Sequence, residues 1–317
     1  MAATSAFPLL MRIVSASVAA SAKAAKVVRS VMKKGDLGIV EKGKNDLQTE
    51  ADRAAQRCIM ASLQKHFPKV VIIGGGGMQL DPNEKVDQDI ESLKLDDVSL
   101  QRVCPENLTD VRDEDVVIWV DPLDGTAEYT QGLLDHVTVL IGIAVKGKAQ
   151  AGVICQPYYN YQLNIEEKLG RVIWGVIGLG AFGFERNNPP EGKNIITTTR
   201  SHSNPIVTEA VEACQPTEVL RVGGAGHKVL LLIEGKANAY VFASPGCKKW
   251  DTCAPEAVLH AIGGTLTDMH GNQIMYHKGV EKRNLGGVLA TPPPASSHQW
   301  YAQRIPQRVK DALPLNK

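Results

Sequence analysis

The chain has 317 residues, 44% of them hydrophobic, which is enough for one large core or two coupled subdomains. Its 35 Lys and Arg residues nearly balance its 34 Asp and Glu residues, so the composition excludes a global basic field for nucleic acid or an anionic membrane. Any anionic ligand must therefore be bound by a local site.

The first segment of the chain is rich in Ala and Ser and carries basic residues, as a transit peptide does. Apolar residues nevertheless recur at helical spacing from Leu9 to Val28, and the run ends at Gly35. The pattern predicts a first amphipathic helix of the mature fold, and a transit peptide remains the alternative. Six cysteines without a CxxC pair favour reduced thiols and a cytoplasmic location, and no apolar stretch is long enough to span a membrane.

A second amphipathic helix is predicted for DLQTEADRAAQRCIMASLQKHFP, in which Thr49 and Asp52 have the spacing of a capping box. A strand from Val70 to Ile73 follows and ends in four glycines, residues 74–77. The amides of such a turn can cradle a phosphate, but the Gly-Lys-Ser/Thr of a P-loop is absent, so the turn is no ATPase signature. The polar, acidic segment from residue 78 to about 115 is predicted to be loop and short helix.

The most informative segment is VVIWVDPLDGTAEYT, residues 116–130. An apolar strand ends at Asp121, Pro122 fixes the turn, and Asp124 lies three residues after Asp121. Two carboxylates and the carbonyl of Leu123 can therefore converge on one point, and hard oxygen donors suit Mg²⁺ rather than Zn²⁺. The alternative is an Asx-type turn in which both aspartates bind backbone amides. The strand, Pro, Gly and Thr together favour the metal site.

Further apolar runs predict a sheet that extends to RVIWGVIGLGAFGF. Within it, GLGAFG matches a dinucleotide-binding motif but lacks the helix that must follow, so turn glycines are the better interpretation. Pro, Gly and Asn then cluster in ERNNPPEGKN. This cluster predicts a boundary between an α+β subdomain, residues 1–190, and an α/β subdomain, residues 191–317, in which strands and helices alternate.

Two stretches of the second subdomain are candidates for a site. GGAGHK, residues 223–228, lies between a predicted strand and a predicted helix, so its amides can face an anion beside Lys228 or can form a plain turn. Asp251 precedes a helix that is predicted to begin near APEAV, and a simple N-cap is the alternative to a functional role there.

Taken together, WVDPLDGT, WDTCAPE and DLQTEAD resemble the motifs of the magnesium-dependent, lithium-sensitive phosphatase superfamily that includes inositol monophosphatases and fructose-1,6-bisphosphatases. The resemblance covers nearly the whole chain, through stretches such as IITTTRSHSN and LRVGGAGHK. It implies a layered α-β-α-β-α fold and a small bisphosphorylated nucleotide as substrate. The implied reaction is removal of the 3'-phosphate of adenosine 3',5'-bisphosphate and of its sulfated precursor PAPS. No nucleic acid or membrane partner is implied, and the oligomeric state does not follow from the resemblance.

The resemblance also assigns roles to individual residues. It implies that Mg²⁺ is bound by Asp121, the carbonyl of Leu123, Asp124 and Asp251. It implies that the nucleophilic water is activated by Asp52 and Thr126. It implies that the substrate is contacted by Thr126, Thr199, His202, Gly224 and Lys228.

The four-glycine turn departs from the pattern of the superfamily. There the corresponding strand is followed by Gly-Glu-Glu, whose first Glu is a metal ligand, whereas this chain has Gly75 and Gly76. The turn therefore resembles a loop that has lost a ligand, for which Glu84 could substitute. A smaller departure is Ala127, where the superfamily usually has Lys. The hypotheses are an impaired phosphatase, a catalytically silent nucleotide-binding relative, or an inositol phosphatase.

Overall fold

A computed structural model describes residues 6–43, 46–75 and 93–315 of the chain. The elements of its first half are α1 (Leu9–Lys34), β1 (Val40–Gly43), β2 (Asp46–Gln48), α2 (Glu50–His66), β3 (Val71–Gly74), α3 (Asp97–Leu100), β4 (Val116–Asp124), α4 (Thr126–Thr130), β5 (Thr138–Val145), β6 (Lys148–Gln156), β7 (Arg171–Val176) and β8 (Gly180–Phe182). The elements of its second half are β9 (Ile195–Thr199), α5 (Pro205–Ala213), β10 (Glu218–Val222), α6 (Ala225–Ile233), β11 (Ala239–Phe242), α7 (Lys249–Ala261), β12 (Thr265–Thr267), β13 (Val288–Thr291), α8 (Ala295–Arg304) and α9 (Gln307–Asp311).

The described strands form two large mixed sheets and one small hairpin. The first sheet has the strand order β3-β4-β5-β6-β7-β8, with β3 parallel to β4 and antiparallel pairing beyond. The second has the order β10-β9-β11-β13-β12, in which β9 pairs in parallel with both β10 and β11. The parallel pairing of the second half confirms the α/β character that the alternation of strands and helices predicted.

Three apolar clusters lie between successive layers of helices and sheet. One joins α1 and α2 to the first sheet, one joins both sheets through α6 and α7, and one joins the second sheet to α5, α8 and α9. The order of layers is therefore α-β-α-β-α, which confirms the predicted fold class. Strand β4 shows how its sequence produces this arrangement. Ile118 and Val120 enter the first cluster, whereas Val117 and Trp119 enter the second, because successive residues of a strand face opposite sides.

The predictions for the first two helices are confirmed. Helix α1 ends at a left-handed Gly35 and supplies buried residues to the first cluster, so this segment is part of the fold. Helix α2 begins with the capping box formed by Thr49 and Asp52. The predicted strand at Val70–Ile73 is β3, shifted by one residue. Gly76, Gly77 and Glu84 lie outside the described residues.

The glycines of GLGAFG form the turn and edge strand that follow β7, as predicted, since β8 pairs directly with β7 in an antiparallel hairpin. Strand β13 and helices α8 and α9 have no counterpart among the predicted elements. All six cysteines are buried, free thiols. None of the described helices has the length and apolar character needed to cross a membrane.

Helix α7 belongs to the second half of the chain but packs directly on the first sheet. A Cβ at Gly142 would lie 2.5 Å from the Cβ of Cys253, and one at Gly152 would lie 2.3 Å from the carbonyl oxygen of Ala254. The two glycines therefore allow the helix backbone to approach β5 and β6 closely. We retain residue 190, which lies between β8 and β9, as a proposed boundary between the two subdomains. Helix α7 nevertheless packs against both sheets.

The prediction that Asp251 precedes its helix is wrong. Helix α7 begins at Lys249, and Asp251 is the third residue of its first turn. The sequence suggested a later start because Pro is favoured in the first turn of a helix. The helix instead continues through Pro255, whose missing N–H deprives only the carbonyl four residues earlier of its donor.

Glu256 of α7 is fully buried, and its Oε2 accepts a hydrogen bond of 2.5 Å from the hydroxyl of Tyr276. Its Oε1 has no partner within the part of the chain that the structure describes. Burial raises the pKa of Glu256 from 4.5 to about 8, against smaller opposing effects of Tyr276 and Lys249. Between pH 4.5 and about 8, Glu256 therefore keeps its proton in the folded protein, whereas it has released the proton in the unfolded chain.

We expect Glu256→Gln to change the pH dependence of stability. Between pH 4.5 and about 8 the folded state binds more protons at this site than the unfolded state, so its contribution to stability falls as pH rises. Gln mimics the protonated acid, so the variant does not lose stability at this site as pH rises. Its free energy of unfolding should therefore exceed that of the wild type by on the order of 1–3 kcal/mol at pH 8 and differ little at pH 5. Urea unfolding from pH 5 to 8 measures the difference. The exposed Glu212→Gln is the control, and parallel curves for Glu256→Gln and wild type would contradict the assignment.

Candidate active site

Strand β4 carries the central carboxylates to its end. The pairing of β4 with β5 is irregular between Asp121 and Asp124, which turns the backbone there. Oδ1 of Asp121 accepts a hydrogen bond of 3.2 Å from the amide of Leu123. An Asx-type contact is therefore present at Asp121, as the alternative interpretation required, whereas the backbone amides that bind Asp124 belong to a distant helix and not to this turn.

Thr126 and Asp52 meet although they are 74 residues apart. The Oγ1 of Thr126 lies 3.1 Å from Oδ1 of Asp52 and 3.1 Å from the carbonyl oxygen of Leu123. The other oxygen of Asp52, Oδ2, accepts the amide of Thr49 at 2.7 Å and its hydroxyl at 2.6 Å. Asp52 is thus both the capping-box carboxylate and a partner of Thr126, so these two roles do not exclude each other.

The start of α6 binds Asp124 through its backbone amides. Ala225 donates to Oδ1 and Gly226 donates to Oδ2, each at 2.8 Å, and the hydroxyl of Thr138 donates to Oδ2 at 2.7 Å. GGAGHK was predicted either to face an anion or to form a plain turn. In the structure its amides do face an anion, and this anion is a carboxylate of the chain itself.

Asp251 reaches the same place from α7, where its Oδ2 accepts the amide of Lys248 at 2.8 Å. Burial, followed by the neighbouring carboxylates of Asp251 and Asp124, raises the pKa of Asp121 well above its ordinary value. Burial and Asp124 raise the pKa of Asp251 to about 6. Burial also raises the pKa of Asp124, although Thr138, Lys228 and the α6 amides oppose this. The cluster holds more negative charge than its own surroundings neutralise.

The donor set fits a hard divalent cation. The residues that would hold it are Asp121, Asp124, Asp251 and the carbonyl of Leu123, all oxygen donors, which suit Mg²⁺. Among residues 6–43, 46–75 and 93–315, however, no three His, Cys, Asp or Glu side chains form a group that could hold a metal ion by themselves. A backbone carbonyl, water or substrate oxygen must therefore complete the coordination.

Gly75, at the end of β3, lines the same pocket. An ideal Cβ at this position would lie 2.8 Å from Nε1 and 3.0 Å from Cδ1 of Trp250. The indole therefore stands against the glycine, and any side chain added there requires Trp250 to shift. The sequence predicts the loss of a carboxylate at this position but gives no sign of the contact with Trp250.

The predicted substrate residues line the same pocket, which has a volume of about 490 Å³. Thr199 is buried at the end of β9, and its Oγ1 accepts the amide of the exposed His202 at 3.0 Å. Gly224 immediately precedes α6, and its carbonyl oxygen accepts Nζ of Lys228 at 2.9 Å. Lys228 is buried, which lowers its pKa, and it lies over the ring of Tyr240 at 5.5 Å. The pocket thus combines an acidic wall, formed by Asp121, Asp124 and Asp251, with the cationic group of Lys228, which lies close to Asp124.

The structure adds pocket residues that sequence analysis did not select. These are Glu128, Tyr240, Phe242, Lys248, Trp250 and Arg283. Trp250 and Glu128 stand inside quoted motifs, directly before Asp251 and two residues after Thr126. Trp250 and Glu128 could therefore have been predicted as pocket residues because they lie close in sequence to proposed site residues. Nothing in the sequence indicates that Tyr240 and Arg283 line the pocket.

Comparison with known proteins places these motifs in a family. A model of the inositol monophosphatase family matches residues 10–310. The 3'(2'),5'-bisphosphate nucleotidase 1 of Homo sapiens is 58% identical over 307 residues, which covers 96% of this chain and 97% of that protein. The protein of the same name from Mus musculus is 56% identical over 307 residues, with the same coverage. Among solved structures, 2'AMP-bound SaIMPase-II has a TM-score of 0.63 at 18% identity and covers 92% of this chain and 94% of its own, which shows a shared fold.

We expect Asp121→Asn to affect stability with opposite signs in the absence and presence of metal. Without Mg²⁺, removal of one charge relieves repulsion in the cluster, so the free energy of unfolding should rise by on the order of 1 kcal/mol. With saturating Mg²⁺, the wild type should gain stability by binding the ion, and the variant should gain much less. Thermal unfolding in EDTA and across a Mg²⁺ titration measures both effects. The exposed Asp110→Asn is the control, and an equal Mg²⁺ response in Asp121→Asn and wild type would refute the ligand assignment.

Proposed function

The chain belongs to the inositol monophosphatase family, and we propose that it is a phosphomonoesterase that converts adenosine 3',5'-bisphosphate and water to AMP and phosphate. Members of this family are metal-dependent, typically with Mg²⁺, and we propose Mg²⁺ as the ion here. PAPS presents the same 3'-phosphate and is the proposed second substrate. The free, buried thiols support a cytoplasmic location.

The observation that carries the proposal is the identity of 58% over 96% of the chain to a protein named a 3'(2'),5'-bisphosphate nucleotidase. The pocket supports it independently, because a substrate with two phosphates needs both an acidic site that can hold a metal ion and cationic groups. The carboxylates at the end of β4 and at the start of α7 supply the first, and Lys228 and Lys248, which line the same pocket, supply the second.

The proposed roles on the acidic wall follow from the hydrogen bonds there. When bound, Mg²⁺ would supply Lewis-acid stabilisation of phosphoryl charge and lower the pKa of water. Asp52 accepts a hydrogen bond from the hydroxyl of Thr126. A lone pair of Thr126 Oγ1 is therefore available to accept a hydrogen bond from water. That arrangement orients the water oxygen toward phosphorus. The water oxygen bonds to phosphorus as the phosphorus–O3' bond breaks. One water proton passes through Thr126 Oγ1 to Asp52, and O3' takes a proton from solvent, which yields AMP and phosphate.

The proposed substrate contacts in this pocket are Thr199, His202, Gly224 and Lys228. His202 is exposed at the pocket and its Nδ1 lies 2.9 Å from Oγ of Ser201, so its Nε2 and ring face remain available to the nucleoside. Gly224 has a positive φ of 68°, and a Cβ there would lie 2.5 Å from the carbonyl oxygen of His136. Glycine therefore lets the chain and a ligand approach closely.

The two alternatives, a catalytically silent nucleotide binder and a general inositol phosphatase, are not favoured by the relatives. The first would follow if the absent carboxylate at position 75 prevented turnover. A general inositol phosphatase would not need the loop of residues 199–202, which extends the pocket beyond the space that a single phosphate needs.

Comparison of two substrates tests the proposed function. With Mg²⁺ present, we expect phosphate release from adenosine 3',5'-bisphosphate with a kcat/KM at least about tenfold above that for inositol 1-phosphate, because the loop contacts require a nucleoside. EDTA should abolish the activity and Li⁺ should inhibit it. Equal turnover of both substrates would indicate an inositol phosphatase. Binding of the nucleotide in calorimetry without any turnover would indicate the silent relative, and activity in EDTA would refute the metal-dependent mechanism.

Restoration of a carboxylate at Gly75 tests the departure from the family pattern. Gly75→Glu should tighten Mg²⁺ binding and raise kcat, and each factor of ten in kcat corresponds to about 1.4 kcal/mol of transition-state stabilisation. Gly75→Ala is the matched control, because it introduces the same Cβ contact with Trp250 without the carboxylate. We expect Gly75→Ala to be neutral or impaired. If both variants are equally impaired, displacement of Trp250 outweighs the added ligand, and if the wild type is already fast and unchanged by Glu, another oxygen fills the position.

A further inference from the structure

Glu128 is a buried carboxylate in the wall of the pocket. It is the third residue of α4, which Thr126 begins, and it is only 3% exposed. A buried carboxylate beside a site for an anionic phosphate ester is unfavourable unless its charge is balanced. The roles proposed above give Glu128 no part in binding metal or substrate.

Arg200 balances that charge from the other half of the chain. Its Nη1 lies 3.3 Å from Oε1 of Glu128, and its Nη2 donates to the side-chain oxygen of Gln131. The planar guanidinium thus bridges two acceptors on one short segment, which an ammonium group cannot do with the same geometry. Arg200 itself stands between Thr199 and His202, the two proposed nucleotide contacts of this loop.

The second nucleotide loop packs on the same carboxylate. A Cβ at Gly223 would lie 1.9 Å from Cδ of Glu128, so the backbone before α6 lies directly against the side chain. The amide of Gly223 donates to Nδ1 of His136 at 3.3 Å, which fixes this turn further. Glu128 is therefore in contact with both loops that line the nucleotide side of the pocket.

We propose that the Glu128–Arg200 ion pair is a positioning device that sets the affinity for the nucleoside part of the substrate. It holds the loop of residues 199–202 and the turn of residues 223–224 in fixed relation to α4. Neither residue is among the proposed ligands of the metal ion or the proposed contacts of the substrate. The inference rests on the proposed function and adds to it the pair of residues that determines substrate selectivity.

Arg200→Lys tests the proposal, since it keeps the charge and removes the fork that bridges Glu128 and Gln131. For adenosine 3',5'-bisphosphate we expect KM to rise about tenfold with kcat within about twofold of wild type. The KM for inositol 1-phosphate should not change. Glu128→Gln should show the same pattern, and the double variant should be less impaired than the sum of the single effects because the two changes break one interaction. The control is Arg308→Lys, which alters a remote, exposed pair with Glu209 and should leave every constant unchanged.

The outcomes separate a positioning role from a general structural one. Loss of kcat with both substrates, or an equal rise in both KM values, would overturn the proposal, as would additive effects in the double variant. If the variants unfold at lower temperature, the Kd of AMP measured by calorimetry below that temperature decides, with a rise of about tenfold expected. A wild type that does not turn over the nucleotide contradicts the proposed function but leaves this comparison of Kd values intact. A wild type that does not bind AMP either overturns both.

Discussion

The central constraint on this structure is the repulsion among carboxylates that are held together at the end of β4. Asp121, Asp124 and Asp251 are brought together there. Burial raises the pKa of each, and the neighbouring carboxylates raise the pKa of Asp121 and Asp251 further. Such a cluster would not form unless other interactions fixed it. The amides at the start of α6 stabilise Asp124, the amide of Lys248 stabilises Asp251, and the apolar layers hold all three in place. A divalent cation would complete the neutralisation.

This constraint makes the two halves of the chain interdependent. The first sheet supplies Asp121 and Asp124, but the two amide donors to Asp124 and the third carboxylate come from helices of the second half. Helix α7 reaches the first sheet only because β5 and β6 have glycines where its backbone passes. The ion pair of Glu128 with Arg200 extends the same connection to the nucleotide side of the pocket. The proposed metal site and the proposed nucleotide site therefore depend on the same packed elements.

Gly75 is a position where the predicted loss of a metal ligand and a packing contact occur together. The turn after β3 has no carboxylate there, and the indole of Trp250 occupies the adjoining space. Trp250 directly precedes Asp251 on α7, so any residue that displaces the indole also acts on a proposed metal ligand. A carboxylate at this position would therefore have two opposing effects: it would attract a metal ion, and it would displace the indole of Trp250.

The sequence by itself determined the features that depend on local pattern. Helical and strand periodicity identified most elements, the spacing of Thr49 and Asp52 identified the capping box, and DPLDGT with WDTCAPE identified the family and the proposed ligands. Only the tertiary structure decided which groups meet. It brought Ala225 and Gly226 to Asp124 and Trp250 to Gly75, and it joined Glu128 to Arg200. These contacts join residues about 70 to 175 positions apart, and they depend on how the layers stack. Local periodicity specifies which face of an element is buried but not which distant residue that face will meet.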